Sequence, residues 1–525
     1  MTRKRKSARQ PGPARLEKPY VLVASFVVGA VILVVEILGT RVISPYYGGS
    51  IYVWSSLIGV TLASLAVGYW LGGYAADRWP RVGLLAVEVI GGALFLLLVP
   101  WFRRSVLTWS TPLGLKAGSL VSAAVLFAPP LVLLSMTGPL AIRLVTTEFT
   151  VLGRGVGWVY GISTLGSMVG AIMAGFVLIP TFSVRSLLVG LALVLLVLGG
   201  GGLLFARRTL AAAGTSALAL LAGTLLGTTA VRSSNVVYLG NSFYGELKVV
   251  NVTNARLLLI NGVNNGFVNR TTFESLDPYI AYFAYLPAAR PQAARALVIG
   301  LGSGSVPRTF HLRHRIATEV VEIDPAILHI ARRYFDFPAD VPVIVEDGRQ
   351  YLERTANRYD FVVLDALNSE VHPVHLFTRE FFASVDRVLT PDGVFAINML
   401  GMPYGEPAAW RAVYATVKER FAFVRVFLGA DLGPADVTRY GNLFFVASHE
   451  ALPSAGSLRG RDAREAEVFA HMARREIVVA PEPGVEVVLT DDYNPLDDLQ
   501  RRLFVLWRQD VIRKTKSVLL FDGSE

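Results

Sequence analysis

The chain has 525 residues, 53% hydrophobic and only 17% charged, against about 25% charged in soluble domains, so much of it is expected to face lipid. It contains no cysteine, which excludes a disulfide framework, thiolate metal sites and a cysteine nucleophile. Part of its formal net charge of +10 sits ahead of the first apolar run, without interleaved aromatic residues, which argues for a membrane anchor and against nucleic-acid binding.

Residues 1–19 form a basic tail in which Arg3, Lys4, Arg5, Lys6, Arg9, Arg15 and Lys18 face one acid, Glu17. The run from Tyr20 to about Ile43 exceeds the apolar stretch of a cleavable signal and lacks a small-residue cleavage site, so it is expected to stay in the mature protein. Seven runs able to cross a bilayer start near 20, 51, 82, 118, 156, 184 and 209, predicting a polytopic α-helical membrane domain over 20–231. The short connections hold Arg78, Arg81, Arg143, Arg154, Arg207 and Arg208, as expected of cytoplasmic loops in a multi-pass protein of a bacterial inner membrane. Pro129, Pro130 and Pro139 in the fourth run raise a break or re-entrant turn, which would change the number of crossings and the side on which the remainder emerges. Glu36 and Glu88 interrupt apolar runs and are expected to face the bundle interior.

Past Val231 charged residues become regular. Residues 232–290 are expected to form a small β domain, from short β-rich stretches at Glu246–Val252 and Arg256–Ile260 separated by Asn and Gly. Over 291–525, apolar runs ending in turn or acidic residues alternate with helical stretches (ALVIG, ATEVVEID, VPVIVEDG, YDFVVLDA, GVFAINM), predicting a Rossmann-like α/β domain with a parallel, doubly wound sheet.

The strongest constellation lies in this last domain. Gly300, Gly302, Ser303 and Gly304 form a glycine loop directly after a strand, where backbone can approach a ligand without a Cβ in the way. Twenty residues after Gly302, Glu322 ends the next strand, the spacing at which an acid accepts hydrogen bonds from ribose hydroxyls. Asp347, followed by Gly348, and Asp365 end the two strands after that; either is equally a helix cap taken alone, but three acids at successive strand ends point to a nucleoside crevice. His372 and His375, in the loop after Asp365, read as packing or loop hydrogen bonding, and no metal site is expected.

These residues, with Tyr244–Lys248, Leu259–Gly262, Tyr279, VEIDP, EDGRQYL and His375–Phe382, resemble the aminopropyltransferase family that includes spermidine synthase, over roughly 240–400. The membrane half, through Glu36–Arg41, Ser44–Gly49 and Gly68–Arg78, resembles the membrane-fused spermidine synthase-like proteins of bacteria. The resemblance implies a small β domain before a Rossmann-like domain, and transfer of an aminopropyl group from decarboxylated S-adenosylmethionine to putrescine or a related amine. That donor is a co-substrate, and no cofactor is implied. It makes Gly300, Gly302, Ser303, Gly304, Glu322, Asp347 and Gly348 donor-binding, with Glu322 on the ribose and Asp347 on the adenine. Asp365 becomes the acid at the attacking amine, and Tyr279 and Asn368 acceptor-binding.

Two positions depart from the family. Ser303 stands where soluble enzymes carry an acid in the glycine loop, and Asn368 where they carry a second acid in the catalytic loop; Tyr279 is followed by Ile280 and Ala281 rather than His and Glu. Both losses remove negative charge from a site for cationic amines. A methyltransferase using S-adenosylmethionine, and a membrane transporter or sensor with a non-catalytic nucleoside- or polyamine-binding domain, therefore stay open. The transporter reading draws on Gly73, Asp77, Arg78 and Arg81, which are similar to a loop of major facilitator transporters, although close helix packing at Gly73 and an interfacial charge cluster explain them more simply. The partners expected are nucleoside and amine small molecules and the lipid bilayer, not nucleic acid; homo-oligomerisation stays open.

Overall fold

An unbroken apolar run satisfies its backbone polar groups away from water only by becoming a helix. The computed structural model describes residues 17–48, 51–146, 152–227, 235–367, 372–429, 432, 435–479 and 487–520; most of the basic tail and Asn368 lie outside them. The chain divides into two compact units, Met1–Ala230 and Val231–Glu525.

Among the described residues the first unit holds seven long helices: α1 Glu17–Tyr47, α2 Ile51–Arg78, α3 Val82–Ser110, α4 Gly114–Val145, α5 Leu152–Thr181, α6 Val184–Phe205 and α7 Thr209–Gly227. Five stretches are long and apolar enough to cross a membrane, Val82–Val145 containing both α3 and α4, whereas the apolar part of α7, Thr209–Leu221, is shorter. The break or re-entrant turn raised for the fourth run does not occur. Helix α4 continues through Pro129, Pro130 and Pro139, packed against α2 and α3, and a wide turn over Ala174–Leu178 interrupts α5 instead. Small residues let these helices approach closely: a Cβ on Gly166 of α5 would lie 2.0 Å from the Phe26 carbonyl of α1, and one on Gly72 of α2 would lie 2.5 Å from the Met136 carbonyl of α4. Gly73, expected to serve packing, faces open space; Gly68 and Gly72, one turn apart, make the contact with α4 instead. Asp77, Arg78 and Arg81 are exposed around the turn between α2 and α3. Glu88 is 3% exposed, and neither of its carboxyl oxygens has a hydrogen-bond partner among the described residues.

The second unit opens with an antiparallel sheet, β1 Val236–Asn241, β2 Glu246–Val252, β3 Ala255–Ile260 and β4 Val263–Asn269, in sequential order. Asn261 and Gly262, both with positive φ, make the two-residue turn that joins β3 to β4 with a matching twist. A register shift opposite Leu258 and Leu259 leaves Asn265 as the extra residue of a bulge in β4.

An eight-stranded sheet follows, built from β5 Arg295–Ile299, β6 Ala317–Glu322, β7 Val343–Val345, β8 Tyr359–Leu364, β9 Leu389–Gly401, β10 Phe423–Leu428, β11 Gly441–Ser448 and β12 Glu476–Ile477. Its order is β12-β10-β11-β9-β8-β5-β6-β7. The expectation of an all-parallel sheet holds for β5 to β9; β11 runs antiparallel to both β9 and β10, and β12 antiparallel to β10, so the sheet is mixed. Alternate residues of each strand point to opposite faces. Val298, Val320 and Phe361 pack on Ile327 and Ile330 of α8 Pro325–Tyr334, while Leu297, Val321 and Val362 share the other core with Leu352 of α9 Gly348–Arg354 and Phe381 and Phe382 of α10 Arg379–Val388. Helices therefore cover both faces. Strand order reverses at β5, between β6 and β8, the point where open α/β sheets bind ligands outside their carboxyl ends.

Candidate active site

A cleft of about 430 Å³ opens at that reversal point. Gly300, Gly302, Ser303, Glu322, Asp347, Gly348, Asp365 and Tyr279 all line it. Gly304 does not: with φ +81° it caps the short helix Ser305–Arg308, and a Cβ there would lie 2.5 Å from the Phe337 ring. At Gly300 the need for glycine is twofold, because φ is +99° and a Cβ would meet the Asp365 carbonyl oxygen at 2.3 Å. Hydrogen bonds from Gly300 N to Val321 O and from Asp365 N to Ile299 O, each 2.9 Å, fasten the loop across three strands.

Glu322 is buried at the end of β6. Its Oε2 accepts from Leu301 N and its Oε1 from Asp324 N, both at 2.9 Å, which ties the acid to the glycine loop and to the cap of α8. Burial pushes its pKa up to about 7 against the opposing pull of these amides. Asp347 caps a helix and also lines the cleft. Its Oδ1 caps α9 through Arg349 N at 3.0 Å and Gln350 N at 3.1 Å, while its Oδ2 lies 2.9 Å from His375 Nε2, and both residues line the cleft.

Asp365 follows β8. Asn398 Nδ2 donates to its Oδ1 at 2.8 Å, Tyr279 donates a second hydrogen bond, and Asn442 Nδ2 supports Asn398 Oδ1 at 3.0 Å. Withdrawal from solvent pushes the Asp365 pKa up to about 6, opposed by these two donors. Burial and the neighbouring Asp365 and Asp277 raise the Tyr279 hydroxyl well above its ordinary value, so it stays a donor.

Several lining residues escape a reading of sequence alone. Asp277 accepts from Phe267 N at 3.0 Å and from Asn264 Nδ2 at 3.1 Å, and burial together with Asp365 pushes its pKa up to about 6. Asn398, Asn442 and Trp507 also line the cleft. Trp507 belongs to helix α13 Arg501–Leu520, anchored by Leu503 and Phe504 against Leu400 and Met402 (α11 being Ala408–Lys418 and α12 Ala463–Arg474). The DPY sequence at 277–279 was a signal for Asp277, since an acid before proline is held extended at the start of a turn.

The two histidines separate. His372 is fully buried, accepting from Leu400 N at 3.2 Å through Nε2 and therefore donating from Nδ1 to Gln500 Oε1 at 3.0 Å; burial lowers its pKa to about 4, so it packs as a neutral ring. His375 reaches the cleft. Asp491 does not line it, forming instead a two-pronged pair with Arg349 at 2.7 and 2.5 Å that straps the segment after β12 to α9. Among the described residues, no group of three or more metal-ligating side chains occurs.

The acids lining the cleft are Asp277, Glu322, Asp324, Glu346, Asp347 and Asp365, and no Lys or Arg is among the described lining residues. Among the described residues, Glu346 alone of these acids has an arginine partner, Arg354. Such a lining makes the local field favour positive over negative charge.

A family model described as the spermine/spermidine synthase domain matches residues 279–428. A polyamine aminopropyltransferase of Vibrio vulnificus is 31% identical over 206 residues, 36% of this chain and 69% of that protein. An N-terminal histidine N-methyltransferase of Emericella nidulans is 37% identical over 179 residues, but this match spans only 31% of that protein and 30% of this chain. A probable spermidine synthase from Corynebacterium glutamicum is 22% identical, with a TM-score of 0.38, over 46% of this chain and 86% of that chain. With a match of 31% identity extending over more than two thirds of the Vibrio vulnificus protein, the chain belongs to the polyamine aminopropyltransferase family.

Proposed function

We propose that the second unit transfers an aminopropyl group from decarboxylated S-adenosylmethionine to putrescine or a related amine. The observation that carries this reading is the acid-lined cleft without lysine or arginine, with Asp365 held between Tyr279 and Asn398 at its reversal point. Adenine lies toward Asp347 and His375 and ribose at Glu322. The acceptor ammonium gives a proton to Asp365, and the freed amine attacks the methylene next to the sulfonium sulfur. The carbon–sulfur bond breaks with its electron pair going to sulfur, methylthioadenosine leaves as a neutral thioether, and the new secondary nitrogen carries the positive charge. Positioning and general-base catalysis supply the acceleration.

The test is methylthioadenosine release by the full-length protein in detergent, with decarboxylated donor and a panel of diamines. Release that depends on a diamine supports the reading. Absence of release, with tight binding of S-adenosylmethionine itself, would favour methyl transfer, the reading supported by the uncharged Ser303 and the Emericella nidulans relative. The pH dependence has a definite sign. Asp365 acts as its carboxylate and its pKa is raised to about 6, so kcat/KM should fall about tenfold per pH unit below that value. A pH profile flat from 7 to 4.5 would remove Asp365 from the proton transfer.

We also propose that α1 to α6 cross a membrane, on the length and apolarity of their segments. The protein should stay in the membrane fraction through an alkaline carbonate wash; its release intact would refute this.

A further inference from the structure

We propose that Asp277 is the counter-charge for the ammonium at the end of the donor's aminopropyl chain, and so the residue that makes the cleft prefer a decarboxylated donor to one that keeps its carboxylate. This deepens the aminopropyl-transfer reading and rests on it.

Sheet order fixes the direction in which a donor lies. Asp347 follows β7, Glu322 ends β6, the glycine loop follows β5 and Asp365 follows β8, and these strands are neighbours in that order. Three strand spacings of about 4.8 Å take a nucleoside about 14 Å from Asp347 to Asp365. Adenine at Asp347 and ribose at Glu322 leave the sulfur over the glycine loop, with its chain pointing toward Asp365. The loop, Gly300–Gly304, carries no charged side chain of its own.

Strand β4 covers that loop. A Cβ on Gly266 would lie 2.3 Å from the Ser303 Cβ, so the Ser303 side chain packs directly on the backbone of β4 at this point. The next residue, Phe267, donates its amide to Asp277 Oδ2, and Asn264 on the same strand donates to Oδ1. Asp277 is thus clamped to the stretch of β4 that presses on the loop, and it lines the cleft together with Asp365, whose charge it senses. Both of its partners are neutral donors, and no lysine or arginine lines the cleft among the described residues. A carboxylate held this way attracts an ammonium on the donor's chain and repels the carboxylate that S-adenosylmethionine would place beside it.

The experiment is titration of the full-length protein in detergent micelles with decarboxylated S-adenosylmethionine, S-adenosylmethionine and methylthioadenosine, for the wild type, Asp277→Asn and Asp277→Glu. Methylthioadenosine has no charged chain and reports the integrity of the nucleoside pocket. Asp277→Asn should weaken the decarboxylated donor about 10- to 100-fold, the loss of one charge-assisted contact, leave methylthioadenosine unchanged, and erase the preference over S-adenosylmethionine. Asp277→Glu should keep the preference. A parallel loss of methylthioadenosine in Asp277→Asn would make Asp277 a support for β4 and overturn the proposal, as would a preference that survives the substitution. A wild type without any preference for the decarboxylated donor would instead bring down the aminopropyl-transfer reading itself, so the two failures are told apart.

Discussion

Asp365→Asn should lower kcat at least about 100-fold, the loss of a general base, while leaving the dissociation constant of the donor within a few-fold. The amide matches the carboxylate in size and can still face Asn398 and Tyr279, which hold the native side chain through Oδ1 at 2.8 Å and through the tyrosine hydroxyl. It cannot take a proton from an ammonium. The contacts proposed for the donor, at Glu322, Asp347 and the glycine loop, lie on three other strand ends and are untouched. Rates of methylthioadenosine release set beside donor titrations separate the two effects. Turnover preserved in the variant, with an amine acceptor in hand, would return Asp365 to the role of a loop acid.

Glu322→Ala should weaken methylthioadenosine binding by at least about 100-fold, more than a lost ribose contact of about 1.5–3 kcal/mol delivers at its lower end. The excess comes from the protein side. Removing the carboxylate also strips Leu301 N and Asp324 N of their acceptor, and both amides are buried. The glycine loop then loses its tie to β6 at the moment it must receive the nucleoside. Titration with methylthioadenosine measures the loss, and circular dichroism checks that the unit remains folded. An unchanged affinity would refute the ribose assignment.

The parts of the cleft that were legible in the sequence are those that depend on local pattern. A strand, a glycine loop and an acid at the next strand end are close in the chain, and continuous apolar runs that end in turn or acidic residues mark where each strand stops; Glu322, Asp347 and Asp365 follow from that alone. The seven apolar runs were visible for the same reason. What was not legible depends on pairings between distant segments. Asn398 meets Asn442 only because β9 pairs antiparallel with β11, a reversal that no composition signal announces. Asp277 belongs to a turn after the small sheet, and its place in the cleft depends on how β4 docks on the glycine loop. Prolines misled in α4, where packing against α2 and α3 outweighs the missing amides. His375 looked like loop filling because the strand-end acid it faces is 28 residues away in the chain.

Trp507 lines the cleft from a helix that follows every described strand of both sheets in the chain. During synthesis from the amino end, the sheets and all the acids of the site are therefore complete before this indole emerges. A chain ending between Leu496 and Arg501 would possess Asp365 and the other acids of the cleft but lack the indole from its wall. The lining of the cleft is thus completed late in translation, by an aromatic side chain.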